Sequence, residues 1–184
     1  QGRDGMRAIV DVDGTLVDLH TPLMELLSRL YPEIPNDLEI TADWNWYKKY
    51  ITDEQFYAAV DVLHELQLHQ PPLSGADILF KILNKHQFEI IVASHRKPNT
   101  AHILSAWLIK NKLAPFSGVF TNHNKLDLIQ DGCMVIDDAP KTIDYALQRG
   151  CSVFYLNWPW NKDKGGQGVS DLYQLIGVLD NARI

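Results

Sequence analysis

The sequence predicts an α/β fold with a mainly parallel sheet and a mostly helical insertion after the first strand. Two observations support this prediction. From Gly75 onward, short apolar runs alternate with segments of helical spacing, which is the pattern of βαβ units. These runs are apolar throughout, which is typical of parallel strands buried on both faces. The 184 residues suffice for one such domain with a modest insertion.

The first strand is predicted at residues 7–11, where an apolar run ends at the turn signal Asp13-Gly14. Leucines at helical spacing predict a helix over residues 20–31, with Thr21-Pro22 as its N-cap and first turn. Residues 36–51 follow as an irregular segment rich in aromatic side chains. The insertion therefore begins with a helix and continues as an irregular, aromatic-rich chain.

A capping box formed by Thr52 and Gln55 predicts the next helix, which extends to about Leu66. Prolines and a glycine in residues 70–75 mark a boundary. Beyond it the predicted elements are a helix at 76–86, a strand at 88–93, a helix at 99–111, a strand at 118–120, a short helix at 125–130, a strand at 133–136, a helix at 140–148, a strand at 152–156 and a helix at 170–179.

These elements divide the chain into a sheet-containing core at residues 6–16 and 71–184 and a helical insertion at 17–70. The core sheet is expected to have about five strands. The glycine-rich stretch at 162–168 is expected to be flexible. Ligands of open α/β sheets bind beyond the carboxyl ends of the strands. That rule predicts a site built from four segments, residues 11–15, 94–97, 121–125 and 137–138.

Carboxylates occupy two of these strand ends. Asp11 and Asp13 follow the first strand, and Gly14 permits a turn that directs Asp13 back toward the same site. Asp137 and Asp138 end another apolar strand. Acids this close repel unless a cation or shared proton intervenes, and Mg²⁺ prefers oxygen ligands. All four acids are therefore candidate metal ligands; the alternatives are a simple Asp-Gly turn and, for Asp138, an N-cap of the following helix.

Candidate phosphate ligands lie at the other strand ends. The Ser94 hydroxyl, with the backbone amides after it, can hold a phosphate oxygen, and the fork of Arg96 can bind a second anionic group. Lys125 offers a cation to balance the carboxylates. Considered alone, Ser94 also fits a loop cap, His95 an exposed loop histidine and Lys125 a solvated charge. The candidate phosphate-binding set is Gly14, Thr15, Ser94, His95, Arg96 and Lys125.

The composition excludes several classes of partner. The net charge is −6 and there is no basic stripe, which argues against a nucleic-acid partner. No apolar run approaches the ~20 residues that span a bilayer, so no membrane partner is expected. Only two cysteines, Cys133 and Cys151, are present, which favours a reducing, cytoplasmic location. A small phosphorylated molecule is the expected partner, and the sequence leaves a homodimer open.

Taken together, the four segments resemble those of the haloacid dehalogenase-like phosphohydrolases. Residues 11–15 match the first motif, Asp-x-Asp-Gly-Thr; Ser94 matches the second and Lys125 the third, and the pair Asp137-Asp138 matches the acidic fourth motif. The resemblance spans about residues 7–156. It implies a Rossmann-like three-layer α/β/α core, a small helical cap inserted after the first strand, and Mg²⁺ as the cofactor.

The same resemblance implies a role for each residue. Asp11 is similar to the nucleophile that forms an aspartyl-phosphate, and Asp13 to the general acid and base. Ser94 and Lys125 would hold the transferring phosphoryl group. The metal would be bound by Asp11, the backbone carbonyl of Asp13 and one acid of the 137–138 pair. Family dehalogenases lack the second acid of the first motif, so Asp13 favours phosphoryl transfer to water.

Aromatic residues of the insertion bear on the substrate. Trp44, Trp46 and Tyr47 are candidate substrate-binding residues because a ring can stack on a planar base; alternatively they form the core of the insertion itself. The short helical cap, the Ile-Asp-Asp pair and residues 157–161 resemble the 5'(3')-deoxyribonucleotidase family and its bacterial and phage relatives. This narrower resemblance implies a 5'-nucleotidase that acts on (deoxy)nucleoside monophosphates.

Three other functions stay open from the sequence. The first is a phosphatase of another small metabolite, such as a sugar phosphate or a phosphoglycolate-like compound. The second is a nucleic-acid 3'-end phosphatase, against which the net charge of −6 counts. The third is a phosphopeptide- or nucleotide-binding module without turnover, against which the presence of both Asp11 and Asp13 counts.

Overall fold

The computed structural model describes residues 6–121 and 124–181, which contain a single parallel sheet. Its strands are β1 (Arg7–Val10), β2 (Glu89–Ser94), β3 (Gly118–Thr121), β4 (Met134–Ile136), β5 (Ser152–Leu156) and β6 (Gln167–Val169). Their spatial order is β3-β2-β1-β4-β5-β6, and every neighbouring pair is parallel. The predicted α/β class and parallel sheet are therefore confirmed.

Helices precede and follow these strands. The α-helices of the described chain are α1 (His20–Leu30), α2 (Asp53–Glu65), α3 (Ala76–Lys85), α4 (Ala101–Lys110), α5 (Pro140–Gln148) and α6 (Leu172–Asn181). Short 3₁₀ helices lie at Leu38–Ala42, Trp46–Lys49, Gln67–His69, Pro98–Thr100 and Lys125–Leu128. No helix in the described ranges is both long and apolar enough to cross a bilayer.

The sheet is buried on both faces by two apolar clusters. Successive residues of each strand point to opposite sides, so a strand such as β1 contributes to both clusters. Ala8 and Val10 of β1 pack in one apolar cluster with helices α3, α4 and α6. Ile9 points the other way, into a second cluster that contains residues of α5. The short strands are apolar throughout because both of their faces are covered, as the three-layer arrangement requires.

A third apolar cluster lies within the insertion. Its buried side chains come from α1, α2 and the irregular segment between them, and α1 packs on α2. The buried members are Leu19, Leu23, Met24, Leu27, Ile34, Trp46, Tyr47, Ile51, Ala59 and Leu63. A cluster of its own is compatible with the helical insertion at residues 17–70, whose boundaries stay a prediction.

The local element predictions have mixed outcomes. The capping box is confirmed: the Thr52 hydroxyl accepts from the Gln55 amide, and the Gln55 side chain accepts from the Thr52 amide. The predicted N-cap at Thr21-Pro22 is wrong, because α1 begins after Leu19, which makes no side-chain cap. The Thr21 amide instead donates to the Asp18 carboxylate at 3.0 Å.

The sheet has six strands because the segment expected to be flexible contributes one of them. Gln167–Val169 pairs with Phe154–Leu156 of β5 at the edge of the sheet, although its first two residues lie in the glycine-rich stretch. Glycine weakens a strand locally, so only the neighbouring strand makes this conformation favourable. The short helix predicted at 125–130 is a 3₁₀ turn at Lys125–Leu128.

Trp107 links the core to the end of the insertion. Its side chain is fully buried in the first apolar cluster. Its indole Nε1–H donates to the backbone carbonyl of Gln70 at 2.7 Å. The same ring therefore packs against one face of the sheet and donates a hydrogen bond to the segment that leads back into the core.

We expect Trp107→Ala to lower the free energy of unfolding by about 3–5 kcal/mol, because it leaves a cavity in the core and removes the hydrogen bond to Gln70. Trp107→Phe should cost less, since the ring volume is largely kept. Urea denaturation measures both. Tyr173→Ala is the control, because this ring is half exposed on α6 and should shift stability by less than about 0.5 kcal/mol. Equal stability of the Trp107→Ala variant and the parent would mean that this ring does not support the core.

Candidate active site

Strands β1 and β4 are neighbours, and each ends in acids at the same edge of the sheet. Val10 is in register with Ile136, and the Asp11 amide donates to the Ile136 carbonyl at 2.9 Å. Asp11, Asp137 and Asp138 each offer a carboxylate oxygen, and these oxygens lie within 4.8 Å of one another. All three side chains are buried. We call these three residues and Asp13 the acidic site.

The turn after β1 depends on Gly14. This residue has a φ of +79°, in the left-handed region that favours glycine. A Cβ at this position would lie 2.3 Å from Asp138 Oδ2. The turn therefore needs glycine for its backbone conformation and for the close approach of the two acidic loops. Thr15 is fully buried in the same turn, and its hydroxyl has no hydrogen-bond partner in the described chain.

Lys125 lies between two of the acids. Its Nζ donates to Asp11 Oδ1 at 2.5 Å and to Asp137 Oδ2 at 2.7 Å. Burial would lower the pKa of Lys125, but the two carboxylates outweigh that effect and raise the pKa above its usual value. Burial raises the pKa of Asp11 well above its ordinary value, and the neighbouring acids add to the rise. Lys125 opposes this rise, and a further cation beside Asp11 would favour its ionised form.

Asp13 has a different set of partners. Arg96 Nη2 donates to its two carboxylate oxygens at 3.2 and 3.4 Å, and His64 Nε2 lies 2.9 Å from Oδ2. The Ser94 hydroxyl donates to Oδ2 at 3.3 Å. Burial would raise the pKa of Asp13, but the charges of Arg96 and His64 outweigh it and hold this pKa well below the usual range. Asp13 is therefore ionised in this arrangement.

The guanidinium of Arg96 is occupied within the protein. Besides Asp13, it donates from Nε to the Ser94 hydroxyl at 2.8 Å and from Nη1 to the Gln67 side-chain carbonyl. The side chain is buried. The sequence identified Arg96 as a group that binds a second anion of the substrate, whereas the structure directs its fork at Asp13. Both interpretations start from the same preference of guanidinium for carboxylate or phosphate.

His20 and the segment at 158–161 contact the loops that follow β1 and β4 and carry the acids. His20 Nε2 lies 3.2 Å from Asp138 Oδ2, and its ring packs on Trp160 with centroids 4.1 Å apart. The Trp158 indole donates to the Gly14 carbonyl at 2.8 Å. Trp160 and Asn161 both donate to the Asp138 carbonyl, at 3.2 and 3.1 Å. The late tryptophan-containing segment therefore fixes the backbone of both loops.

A cavity opens from the acidic site toward the insertion. Of the predicted phosphate ligands, His95 and Lys125 line it, whereas Gly14, Thr15, Ser94 and Arg96 do not. The three candidate substrate-binding aromatics all border the cavity, but they differ in exposure: Trp44 is 46 % exposed, while Trp46 and Tyr47 are 6 % and 5 % exposed and belong to the insertion's apolar cluster. The other lining residues are Asp11, Asp13, Leu19, His20, Leu23, Met24, Thr41, Asn45, Phe56, Tyr57, Val60, Asp138, Ala139 and Trp160.

Sequence reasoning did not identify His64, His20 or Gln67. Each lies in the insertion and reaches the site only because the insertion folds back over the edge of the sheet. A histidine in the last turn of a helix carries no spacing signal that separates it from a surface or core residue. Residues 122–123, within one of the four segments predicted to form the site, lie outside the described residues.

This arrangement has the groups that acid–base and nucleophilic chemistry requires. Asp11 lines the cavity beside a buried cation, Asp13 lines it as an ionised carboxylate, and three buried acids offer oxygen atoms to a hard divalent cation. Lys125 lines the cavity beside Asp11, where it can contact an anionic group, whereas Ser94 is buried beside Asp13 and does not line the cavity.

Comparisons with known proteins agree on the fold. No protein-family model and no curated protein matches the chain. Among solved structures, a haloacid dehalogenase-like hydrolase from Streptococcus pneumoniae is similar at 15 % identity and a TM-score of 0.64, over 95 % of this chain and 98 % of that one. A predicted phosphoglycolate phosphatase from Haemophilus somnus is similar at 17 % identity and a TM-score of 0.63, over 95 % and 97 %.

A third similar structure is a putative haloacid dehalogenase hydrolase from Bacillus subtilis that was solved with bound magnesium. It matches at 16 % identity and a TM-score of 0.59, over 96 % of this chain and 99 % of that one. Similarity at such low identity is a likeness of fold, and it extends over nearly the whole length of each protein. The chain has the fold of the haloacid dehalogenase-superfamily hydrolases.

Proposed function

We propose that this protein is a Mg²⁺-dependent phosphatase that works through an aspartyl-phosphate on Asp11. The observation that carries the proposal is the position of Asp11: it borders the cavity, contacts Lys125 and shares the sheet edge with two further buried acids. A carboxylate in this position can attack phosphorus while nearby cations neutralise the phosphoryl oxygens. The fold shared with hydrolases of this superfamily supports the same conclusion.

The acidic site fits a magnesium ion. Its donor set is made of carboxylate oxygens, which Mg²⁺ prefers, and the three acids grouped by geometry are Asp11, Asp137 and Asp138. Burial also raises the pKa of Asp137, with Asp138 adding to the rise, so a further positive charge would stabilise the ionised acids. When bound, the ion would neutralise charge on the phosphoryl group. Asp13 belongs to the set only through its backbone carbonyl, as the family resemblance implies.

The residues of the chain supply the remaining chemistry. An Asp11 oxygen attacks phosphorus, the bond from phosphorus to the ester oxygen breaks, and Asp13 gives its proton to the departing oxygen. A phosphoryl dianion bound beside Asp13 raises the pKa of that acid, so it can carry this proton. In the second step Asp13, again ionised, takes a proton from the water that attacks the phosphorus of the aspartyl-phosphate. The bond from phosphorus to the Asp11 oxygen breaks as the water adds, which frees the Asp11 carboxylate and releases inorganic phosphate. Lys125 stabilises the phosphoryl oxygens in both steps.

The cavity favours a substrate with an aromatic group. Beyond the acidic site it is bordered by apolar and aromatic side chains of the insertion, and the exposed Trp44 ring meets Trp160 edge to face at 5.8 Å between centroids. A nucleobase fits such a wall, since stacking requires only a flat π surface. We propose that residues 17–70 act as a cap over the site and that the substrate is a (deoxy)nucleoside 5'-monophosphate.

A phosphoglycolate-like substrate is the second candidate, because the protein of similar fold from Haemophilus somnus is described as a predicted phosphoglycolate phosphatase. Its carboxylate would need a cation of its own in the cavity. Among the described lining residues the groups that can be positive are Lys125, His20 and His95, and the first two already contact acids. Only the exposed His95 is left for a second anion. The cavity therefore favours the nucleotide.

We expect Asp11→Asn to reduce hydrolysis of an aryl phosphate by about a thousandfold or more, because an amide is a poor nucleophile at phosphorus. Steady-state phosphate release measures this loss. Asp131→Asn is the matched control, since Asp131 is an exposed acid paired with Arg149 at the opposite edge of the sheet. Undiminished hydrolysis by Asp11→Asn would refute the assignment of the nucleophile, and tight nucleotide binding without any turnover by the parent protein would favour the binding-module alternative.

Removal of divalent cations with EDTA should abolish hydrolysis, and added Mg²⁺ should restore it, because the buried acids need the ion's charge to hold a phosphoryl dianion. Phosphate release before and after chelation measures the effect. The matched control is the same treatment followed by a monovalent salt of equal ionic strength, which should restore nothing. Full activity in the chelator would exclude a divalent cation from the reaction.

Trp44→Ala should raise the KM for a nucleoside 5'-monophosphate by about 5- to 150-fold, the equivalent of about 1–3 kcal/mol for one stacked base. Trp44→Phe keeps a ring and should recover most of the affinity. The KM for phenyl phosphate should change little in either variant. A comparison of nucleoside monophosphates with phosphoglycolate and sugar phosphates identifies the substrate class. Equal rises in KM for every substrate would remove Trp44 from base recognition.

A further inference from the structure

His64 lies in the last turn of α2 and is 1 % exposed. Its Nε2 lies 2.9 Å from Asp13 Oδ2. The other ring nitrogen, Nδ1, is buried and has no hydrogen-bond partner in the described chain. The contact with Asp13 is thus the hydrogen bond that this ring makes within the described residues. Because an ionised carboxylate only accepts, Nε2 carries the proton in this contact.

Core packing alone does not explain why a histidine is buried at this position. A buried ring nitrogen without a partner carries a desolvation penalty, and an apolar residue of similar size would avoid it. The ring is held on the second acid of the first motif by a helix that is far from it in sequence. A role at Asp13 accounts for a polar ring at this place, whereas core packing does not.

Asp13 also has partners in the core. Arg96 Nη2 contacts both carboxylate oxygens at 3.2 and 3.4 Å, and the Ser94 hydroxyl donates to Oδ2 at 3.3 Å. Arg96 is held in turn by the side-chain carbonyl of Gln67, which is buried one turn beyond His64. The insertion therefore supports Asp13 twice, directly through His64 and indirectly through Gln67.

We propose that His64 is a positioning residue for Asp13. This proposal rests on the proposed function, in which Asp13 protonates the leaving oxygen and later takes a proton from water. His64 donates from Nε2 to Asp13 Oδ2 and so keeps the carboxyl group in the rotamer that faces the cavity. Without this bond the Asp13 carboxyl keeps only Arg96 and Ser94 as partners, and its position relative to the leaving oxygen is less restricted.

The test uses two aryl phosphates that differ in their need for a proton. Phenyl phosphate releases a basic phenolate and needs an acid, whereas 2,4-dinitrophenyl phosphate releases an anion that is stable without one. The quantity compared is kcat/KM, because it reports the step up to departure of the leaving group. A residue that merely stabilises the fold affects both esters alike, but a residue that positions the acid affects mainly the first.

We expect His64→Leu to lower kcat/KM for phenyl phosphate by about 10- to 100-fold, the effect of one hydrogen bond to a charged group, and for dinitrophenyl phosphate by less than about threefold. His64→Gln keeps an N–H donor and should recover most of the loss. His102→Leu is the matched control, since His102 is exposed on α4. An equal loss on both esters, or no recovery in His64→Gln, overturns the proposal.

A second measurement decides the proposal even if His64→Leu does not fold. Long-range ¹H–¹⁵N NMR of the parent protein identifies which ring nitrogen of His64 carries a proton. Protonated Nε2, with a resonance that moves in Asp13→Asn, is the expected result; a ring protonated only at Nδ1 overturns it. A parent protein that hydrolyses neither ester refutes the proposed function instead, and the NMR result then still decides whether His64 donates to Asp13.

Discussion

Negative charge concentrated at one edge of the sheet governs how the surrounding chain is arranged. Four carboxylates meet there with little access to solvent, and burial together with the neighbouring acids raises the pKa of Asp11 and of Asp137. The fold compensates with cations and hydrogen-bond donors from distant parts of the chain. Lys125 donates hydrogen bonds to Asp11 and Asp137, whereas Arg96 donates to Asp13. Removal of one partner would leave a buried charge uncompensated, so these contacts belong to the stability of the site as well as to its chemistry.

The backbone around the acids is as constrained as the side chains. The loop that carries Asp13 and the loop that carries Asp138 approach so closely at Gly14 that a single Cβ would not fit between them. Two tryptophans and Asn161 donate hydrogen bonds to carbonyls of these loops, which limits the movement of their backbone. Under the proposed function these contacts would help to hold a phosphoryl group in place, because positioning provides a large part of the catalysis of phosphoryl transfer.

The insertion contributes to both halves of the proposed mechanism. Its aromatic side chains border the cavity that would hold the rest of the substrate, and His64 contacts the proposed general acid. Its own apolar cluster, separate from the two clusters on the sheet, allows the insertion to carry these groups as one packed unit. In the proposed mechanism the choice of substrate and the geometry of proton transfer would be coupled, since a shift of α2 would move the wall of the cavity and the partner of Asp13 together.

Apolar periodicity and turn residues are local signals, and they were enough to predict the parallel sheet, most of its helices and the strand ends at which polar residues gather. They also singled out Asp11, Asp13 and the acidic pair, which the structure brings together at one edge, whereas Lys125 was identified only through its place among the motifs of the resembled family. Only the tertiary structure shows that Arg96 and His64 contact Asp13. It also shows that Trp44 is exposed while Trp46 is buried, and that Gln167–Val169 forms a sixth strand. These outcomes depend on contacts between residues tens of positions apart or between neighbouring strands, and no local spacing encodes which distant group a side chain will meet.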